Sequence, residues 1–279
     1  MSTVAEETVC YKHPSRETAV SCSSCGRPIC TECMTSTPVG MRCPECAGRK
    51  TQVRTMRSVQ STSTLMTQAL IALIVVAFLG ELATNNLPNS LYERGGVFAP
   101  FVAYGEVWRL LTAGFLHAQP PFGFLHIAFN AYVLYLLGQT LEGALGRWRF
   151  LLVFLLAVAG GSAIAMLLQP ATYVVGASGG VFGLMGAAVL ELRSRGYAPF
   201  QTQLGQLLGI NLLLTFVFPG ISIGGHLGGL AAGALGFLAI EESKRRRLPA
   251  AATYAILVAM LAVALVGGVL IAESVNPVD

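Results

Sequence analysis

Ser178 and His226 are the two residues whose types and settings could do covalent chemistry together. Ser178 stands in Gly176-Ala177-Ser178-Gly179, and His226 in Gly224-Gly225-His226-Leu227-Gly228-Gly229, in two separate glycine-rich apolar stretches. A serine hydroxyl is a weak nucleophile until a base within hydrogen-bond reach takes its proton, and imidazole is the commonest such base. The chain has a single aspartate, Asp279, at its last position. A Ser-His-Asp triad is therefore excluded, and hydrolysis here would have to run on two residues.

Two further groups could complete such a site. His126 and Asn130 lie four apart in Phe124-Leu125-His126-Ile127-Ala128-Phe129-Asn130, so a helix sets both on one face. Each can donate a hydrogen bond without carrying charge, which is what a developing oxyanion needs. The competing use of the same pair is hydrogen bonding between helices, worth about 1 kcal/mol in membranes.

A second constellation lies at the amino-terminal end. All seven cysteines fall between Cys10 and Cys46, in the pairs Cys10/His13, Cys22/Cys25, Cys30/Cys33 and Cys43/Cys46, each with a two-residue spacer. Eight ligands satisfy two tetrahedral zinc ions with none left over. Disulfides fit less well, because the cysteine count is odd and the expected compartment is reducing. Only four residues separate Cys25 from Cys30, which suits an interleaved arrangement, first pair with third and second with fourth; consecutive pairing is the alternative. No open coordination position is implied, so the two ions are structural. So short a segment has little core, and metal binding should supply most of its folding energy. In this spacing it resembles a B-box or RING-like zinc-binding module, a docking or regulatory role with a cytoplasmic protein partner.

The elements that must position Ser178 and His226 are set by composition. Hydrophobic residues make up 54% and charged residues 11%, and mean hydropathy is +0.63, outside the range of soluble domains. Windows of about 20 apolar residues, enough to cross roughly 30 Å of hydrocarbon, recur near 65–84, 122–141, 149–168, 177–193, 204–219, 224–241 and 251–272. Helices are required there, because lipid offers no partner for free backbone groups. Small residues at 179, 183 and 186, and at 225, 229 and 233, let two of these helices approach closely. Lys and Arg cluster before the first window and after the second, fourth and sixth, which places the amino terminus in the cytoplasm and the carboxyl terminus outside it. The net charge of +4 reports this topology, and no nucleic-acid partner is expected. No cleavable signal peptide is expected, since the first apolar window starts too late.

Together these residues resemble the rhomboid intramembrane serine proteases. The carrying motifs are Trp108-Arg109, His126-Ile127-Ala128-Phe129-Asn130, Gly176-Ala177-Ser178-Gly179 and His226-Leu227-Gly228-Gly229-Leu230-Ala231-Ala232-Gly233, and the resemblance covers residues 65–241. It implies an all-α polytopic membrane protein with a six-helix core, here extended by a C-terminal seventh helix and preceded by the small cytoplasmic zinc-binding domain. It also implies a Ser178–His226 dyad, with an oxyanion hole from His126, Asn130 and the Ser178 backbone amide. The implied reaction is hydrolysis of peptide bonds in or near transmembrane segments of other membrane proteins. The domains expected are 1–47 for the zinc module, 48–64 for a linker, 65–241 for the catalytic core and 242–279 for the last helix and tail. Phe182 stands where many relatives carry tyrosine, and it can still stack on His226. His117 is assigned to loop structure, because 118–122 adds length before the second helix. Glu142, Arg147 and Arg149 are read as a cytoplasmic cluster, Glu106 as a brace of the first loop, and Glu81 and Glu191 as solvated.

Other classes find less support in the same residues. Two membrane aspartates and a His-Glu-x-x-His motif are both lacking. A zinc site from His117, His126 and His226 would leave the Ser178 frame without a purpose. A rhomboid-like binding or quality-control protein that has lost activity is the remaining alternative, though this chain keeps both residues of the dyad. The expected location is the bacterial inner membrane, with the bilayer and transmembrane substrates as partners.

Overall fold

The computed structural model of the chain describes residues 8–37, 40–48, 64–85, 87–117, 122–218 and 220–276. The expected linker and the added length at 118–121 lie almost entirely outside them, as do Arg54, Arg57 and Asp279. The chain divides into two compact units, before and after positions 59 and 60.

The amino-terminal unit holds a two-stranded antiparallel hairpin, β1 (Thr35–Thr37) and β2 (Gly40–Arg42), followed by one turn of helix at Pro44–Ala47. Its buried interior is Ile29 with Cys10, Cys22, Cys30, Cys33 and Cys43. An interior made of thiols and one aliphatic side chain is too small to pay for ordering the chain by hydrophobic burial alone.

The second unit is helical. Among the described residues seven long helices run α1 (Leu65–Thr84), α2 (Phe122–Leu145), α3 (Arg147–Leu168), α4 (Ser178–Ser194), α5 (Gln203–Val217), α6 (Ile223–Arg245) and α7 (Ala250–Ser274). Five of them, α1, α2, α3, α6 and α7, are long and apolar enough to cross a bilayer, while α4 and α5 have 17 and 15 residues. The chain is a multi-pass membrane protein. The helices α3, α4 and α6 pack on one another at the centre, and α7 lies mainly against α3 and the first loop. That loop carries short helices at Leu91–Gly95, Ala99–Ala103 and Arg109–Thr112.

Buried polar side chains tie the bundle together, and three acidic ones differ from the sequence expectation. Glu142 does not join Arg147 and Arg149. It is buried and accepts from the Met66 and Thr67 amides at 2.9 and 2.8 Å and from the Thr67 hydroxyl at 2.6 Å. It thus satisfies the free N–H groups that begin α1, where a carboxylate also complements the helix dipole. Glu81 is buried rather than solvated, and accepts from the His117 amide at 2.9 and 3.1 Å. Glu191 is buried too, paired with Arg195 at 2.5 Å. For Glu142 and Glu81 the bundle supplies donors that a helix end in isolation would leave to water, while Glu191 finds its partner four residues on at its own helix end. Arg149 sits over the Tyr254 ring of α7, 5.4 Å from its centroid.

Candidate active site and cysteine quartets

Ser178 is the first residue of α4, so its own amide is one of the helix's unpaired N–H groups. The segment leading to it is fixed by the first loop: Val174 and Val97 exchange backbone hydrogen bonds at 2.9 and 3.0 Å, and the Gly176 amide donates to the Ala113 carbonyl at 2.9 Å. Gly176 has φ +136°, a conformation open to glycine and strained for other residues. A β-carbon there would stand 3.3 Å from Ser178 Oγ and 3.2 and 3.4 Å from Cε1 and Nε2 of His126. The serine hydroxyl and the His126 ring therefore border one small volume that only glycine leaves open.

The first loop owes its shape to Arg109, which is buried. Its guanidinium donates to the carbonyls of Glu93 and Gly96 at 2.5 and 2.8 Å and to Glu106 at 2.6 Å, and lies over the Phe101 ring at 4.6 Å. Glu106 braces the loop through that pair. Trp108 is exposed and donates to the Arg94 carbonyl.

His226 lies in the first turn of α6, whose N-cap Ser222 accepts from the Gly225 amide at 3.1 Å and donates to Gln169 at 2.9 Å. The imidazole is buried and stacks on Phe182, centroids 4.0 Å apart and planes 20° from parallel. Its Nδ1 lies 2.7 Å from the Thr215 hydroxyl of α5. Sequence reasoning missed Thr215. The signal was there, since Asn211 and Thr215 are polar residues four apart in the apolar run that follows Gln206, and such residues face the protein.

The helices bearing Ser178 and His226 meet backbone to backbone. A β-carbon on Gly179 would stand 3.3 Å from the Gly225 carbonyl, one on Gly183 2.8 Å from the Gly229 carbonyl, and one on Gly186 2.9 Å from the Leu230 carbonyl. The residue after the serine and the residue before the histidine are thus in contact. Among the described residues Ser178 and His226 share no hydrogen bond, a separation common in resting sites.

His126 and Asn130 share a face of α2 with His117 behind them. The His117 ring packs edge-on to His126 at 5.0 Å, and Asn130 Nδ2 is 3.4 Å from His117 Nε2. His117 is thus more than loop structure: it is fully buried and touches both. Its amide is held by Glu81, which links α1 to this cluster. Among the described residues His117, His126 and His226 do not gather as a metal-ligand group.

Two such groups do gather, both in the amino-terminal unit: Cys10, His13, Cys30 and Cys33, and Cys22, Cys25, Cys43 and Cys46, the ligand atoms of each within 4.8 Å of one another. The pairs interleave, first with third and second with fourth. His13 Nδ1 is 3.3 and 3.4 Å from the sulfurs of Cys30 and Cys33, and the sulfurs of Cys25 and Cys43 are 3.8 Å apart. Tetrahedral zinc with bonds near 2.3 Å sets its sulfurs about 3.8 Å apart, so both quartets fit a metal ion. No cysteine is in a disulfide. The Cys43 amide donates to Cys22 Sγ at 3.2 Å, a hydrogen bond that favours the thiolate at that sulfur.

Comparison with known proteins agrees with this architecture. The rhomboid domain model matches residues 104–242. YdcA, a rhomboid protein of Bacillus subtilis, is 37% identical over 150 residues, covering 52% of this chain and 73% of YdcA. The rhomboid protease GluP of the same organism is 34% identical over 224 residues, 76% of this chain and 42% of GluP. Rhomboid-like protease 1 of Toxoplasma gondii is 33% identical over 179 residues, 61% of this chain and 60% of that protein. The chain thus spans less than two thirds of GluP and of the Toxoplasma protein. With a helical membrane bundle, a matching domain and identity across most of YdcA, the chain belongs to the rhomboid family.

Proposed function

We propose that the chain is an intramembrane serine endopeptidase acting on the transmembrane segments of other membrane proteins. The observation that carries this reading is the contact of Gly179 with Gly225, which brings the heads of α4 and α6 together with Ser178 and His226 one residue away on each side. Its relatives named as rhomboid proteases support the same reaction.

In the proposed cycle His226 Nε2 takes the Ser178 proton as Oγ attacks the scissile carbonyl. The oxyanion is held by the Ser178 amide, His126 and Asn130. His226 then returns its proton to the leaving amine, and water releases the acyl group by the same steps. Removing the aspartate of a triad costs about 10⁴ in turnover, so a dyad is slow. Each oxyanion donor is worth roughly 10²–10³, and these donors supply much of the remaining acceleration. Phe182 orients the base by stacking.

The two quartets bind structural zinc, and the amino-terminal unit (residues 1–47) is a cytoplasmic docking or regulatory module on a linker over 48–64. The core over 65–241 and the last helix over 242–279 lie in a bacterial inner membrane, with the carboxyl terminus outside the cytoplasm.

The test uses purified protein in detergent with a single-pass membrane protein as substrate. Wild type should cleave it and be labelled by a fluorophosphonate, while Ser178→Ala and His226→Ala should do neither yet remain folded. Undiminished cleavage by Ser178→Ala would remove the mechanism. A folded wild type that neither cleaves nor labels would favour a binding protein instead.

A further inference from the structure

We infer that Thr215 is a positioning residue that sets which nitrogen of His226 carries the proton. The inference rests on the dyad reading above, since it concerns the base of that dyad.

The argument turns on the proton count at one hydroxyl. A threonine hydroxyl has one proton to give and two lone pairs to receive with. Thr215 Oγ1 lies 2.7 Å from the backbone carbonyl oxygen of Asn211, one turn earlier in α5, and 2.7 Å from His226 Nδ1. A carbonyl oxygen can only accept. Two oxygens 2.7 Å apart need a proton between them, which places the hydroxyl proton on the Asn211 contact, the ordinary back-bond of threonine within a helix. What faces His226 is a lone pair, and the partner it requires is an N–H at Nδ1. A neutral imidazole with its proton on Nδ1 has a bare Nε2, the form able to accept a proton from a serine. The opposite tautomer would draw the hydroxyl proton to Nδ1 and leave Thr215 Oγ1 and the Asn211 carbonyl oxygen 2.7 Å apart with no proton between them, in a buried site. Thr215 is 1% exposed, so water does not compete for either contact.

A carboxylate often sets this tautomer in serine hydrolases, and this chain has only Asp279 as an aspartate, outside the described residues. A neutral hydroxyl cannot stabilise the imidazolium as a carboxylate does, but it can fix tautomer and ring angle. Phe182 restrains the same ring by its face, so stacking and the Nδ1 bond together leave the imidazole little freedom to turn. The bond also joins α5 to α6, which places the base under the control of a helix that carries neither nucleophile nor base.

The test combines kinetics with nitrogen-15 NMR of histidine-labelled protein in detergent, His226 being assigned by its loss in His226→Ala. In wild type His226 should show a protonated Nδ1 and a bare Nε2. Thr215→Val keeps shape and removes the hydroxyl. It should give a mixed or reversed tautomer and lower kcat by about 10- to 100-fold, between the loss of one hydrogen bond and the loss of a triad aspartate, with KM unchanged within about twofold. Thr215→Ser should restore both readouts. A wild-type His226 protonated on Nε2 overturns the inference, as does a Thr215→Val variant with native tautomer and native kcat. If Thr215→Val fails to fold, the wild-type tautomer and the Thr215→Ser variant still decide. Cleavage that survives Ser178→Ala would defeat the dyad instead, and the His226 spectra would then judge the Thr215 bond alone.

Discussion

The ring of Phe182 lies flat against the imidazole of His226, 4.0 Å between centroids and 20° from parallel. The two residues come from different helices, α4 and α6, and Phe182 is one turn beyond Ser178 on the helix that bears the nucleophile. Rotation of the base is thus limited by a side chain whose own position is tied to the serine. An aromatic pair is worth about 0.5–1.5 kcal/mol beyond its buried area. Phe182→Leu should therefore lower kcat by about threefold to tenfold, and it should also lower the unfolding midpoint, because Phe182 is buried in the core. Phe182→Tyr keeps the face and should stay within about twofold of wild type. Equal kcat in all three proteins would show that the stack does not orient the base.

Gly229 should tolerate no side chain. A methyl group there would collide with the Gly179 backbone, next to Ser178, and backbone cannot swing aside as a side chain can. Overpacking of this kind costs about 1–3 kcal/mol. Gly229→Ala should lower the unfolding midpoint and reduce kcat at least tenfold, because the two helices part where the chemistry is proposed. Gly209, which has open space around it, is the control: Gly209→Ala should leave kcat unchanged.

Asn130 separates two uses of one side chain. Its amide nitrogen is 3.4 Å from His117 Nε2, and the proposed cycle also gives it to the oxyanion. Asn130→Ala should cut kcat by about 10²-fold, as expected for one oxyanion donor, with KM little changed and some cleavage remaining through His126 and the Ser178 amide. A variant of lowered stability and native kcat would confine Asn130 to holding His117.

Glu142 should matter for stability and not for turnover. Its carboxylate accepts three hydrogen bonds at the start of α1. In Glu142→Gln an amide N–H would confront at least one of those donors, at a cost of about 1–3 kcal/mol for an unsatisfied buried group. Thermal unfolding in detergent should show the lower midpoint, while kcat at a temperature well below it stays native.

Metal content tests the quartets. Elemental analysis of purified protein should give two zinc ions per chain, and a strong chelator should remove them and abolish the ordered NMR signals of the amino-terminal unit. Fluorophosphonate labelling of Ser178 should persist within about twofold, because no proposed step uses the metal. Labelling that vanished with the zinc would assign the metal a place in catalysis.

The long helices were the most legible part of the sequence, because lipid demands an unbroken apolar run and leaves few alternatives. The window at 177–193 became α4 at Ser178–Ser194, and that at 251–272 became α7 at Ala250–Ser274. The close approach of α4 and α6 was legible too, since glycine at every third or fourth position admits little else. Polar groups between helices were not. Glu81 looks like a solvated helix-end residue and Glu142 like a partner of Arg147 and Arg149, and only the packed bundle supplies the amides and hydroxyl that bury them. Thr215 and His117 were missed for the same reason: their roles depend on neighbours distant along the chain, His226 and Asn130 among them. Of the proposed site, the glycine frames marked Ser178 and His226, while the polar pair Asn211 and Thr215 marked a face turned to protein without naming His226 as what it meets.

The interleaved ligand pairs have one more consequence. Cys22 and Cys25 lie inside the loop that the first ion closes between His13 and Cys30, and Cys30 and Cys33 lie inside the loop that the second closes between Cys25 and Cys43. An ion bound at one quartet would therefore shorten the search of the other's ligands, and capture of one would make capture of its twin easier. If the quartets hold zinc as proposed, such a clasp would favour its empty and doubly loaded forms over the singly loaded one.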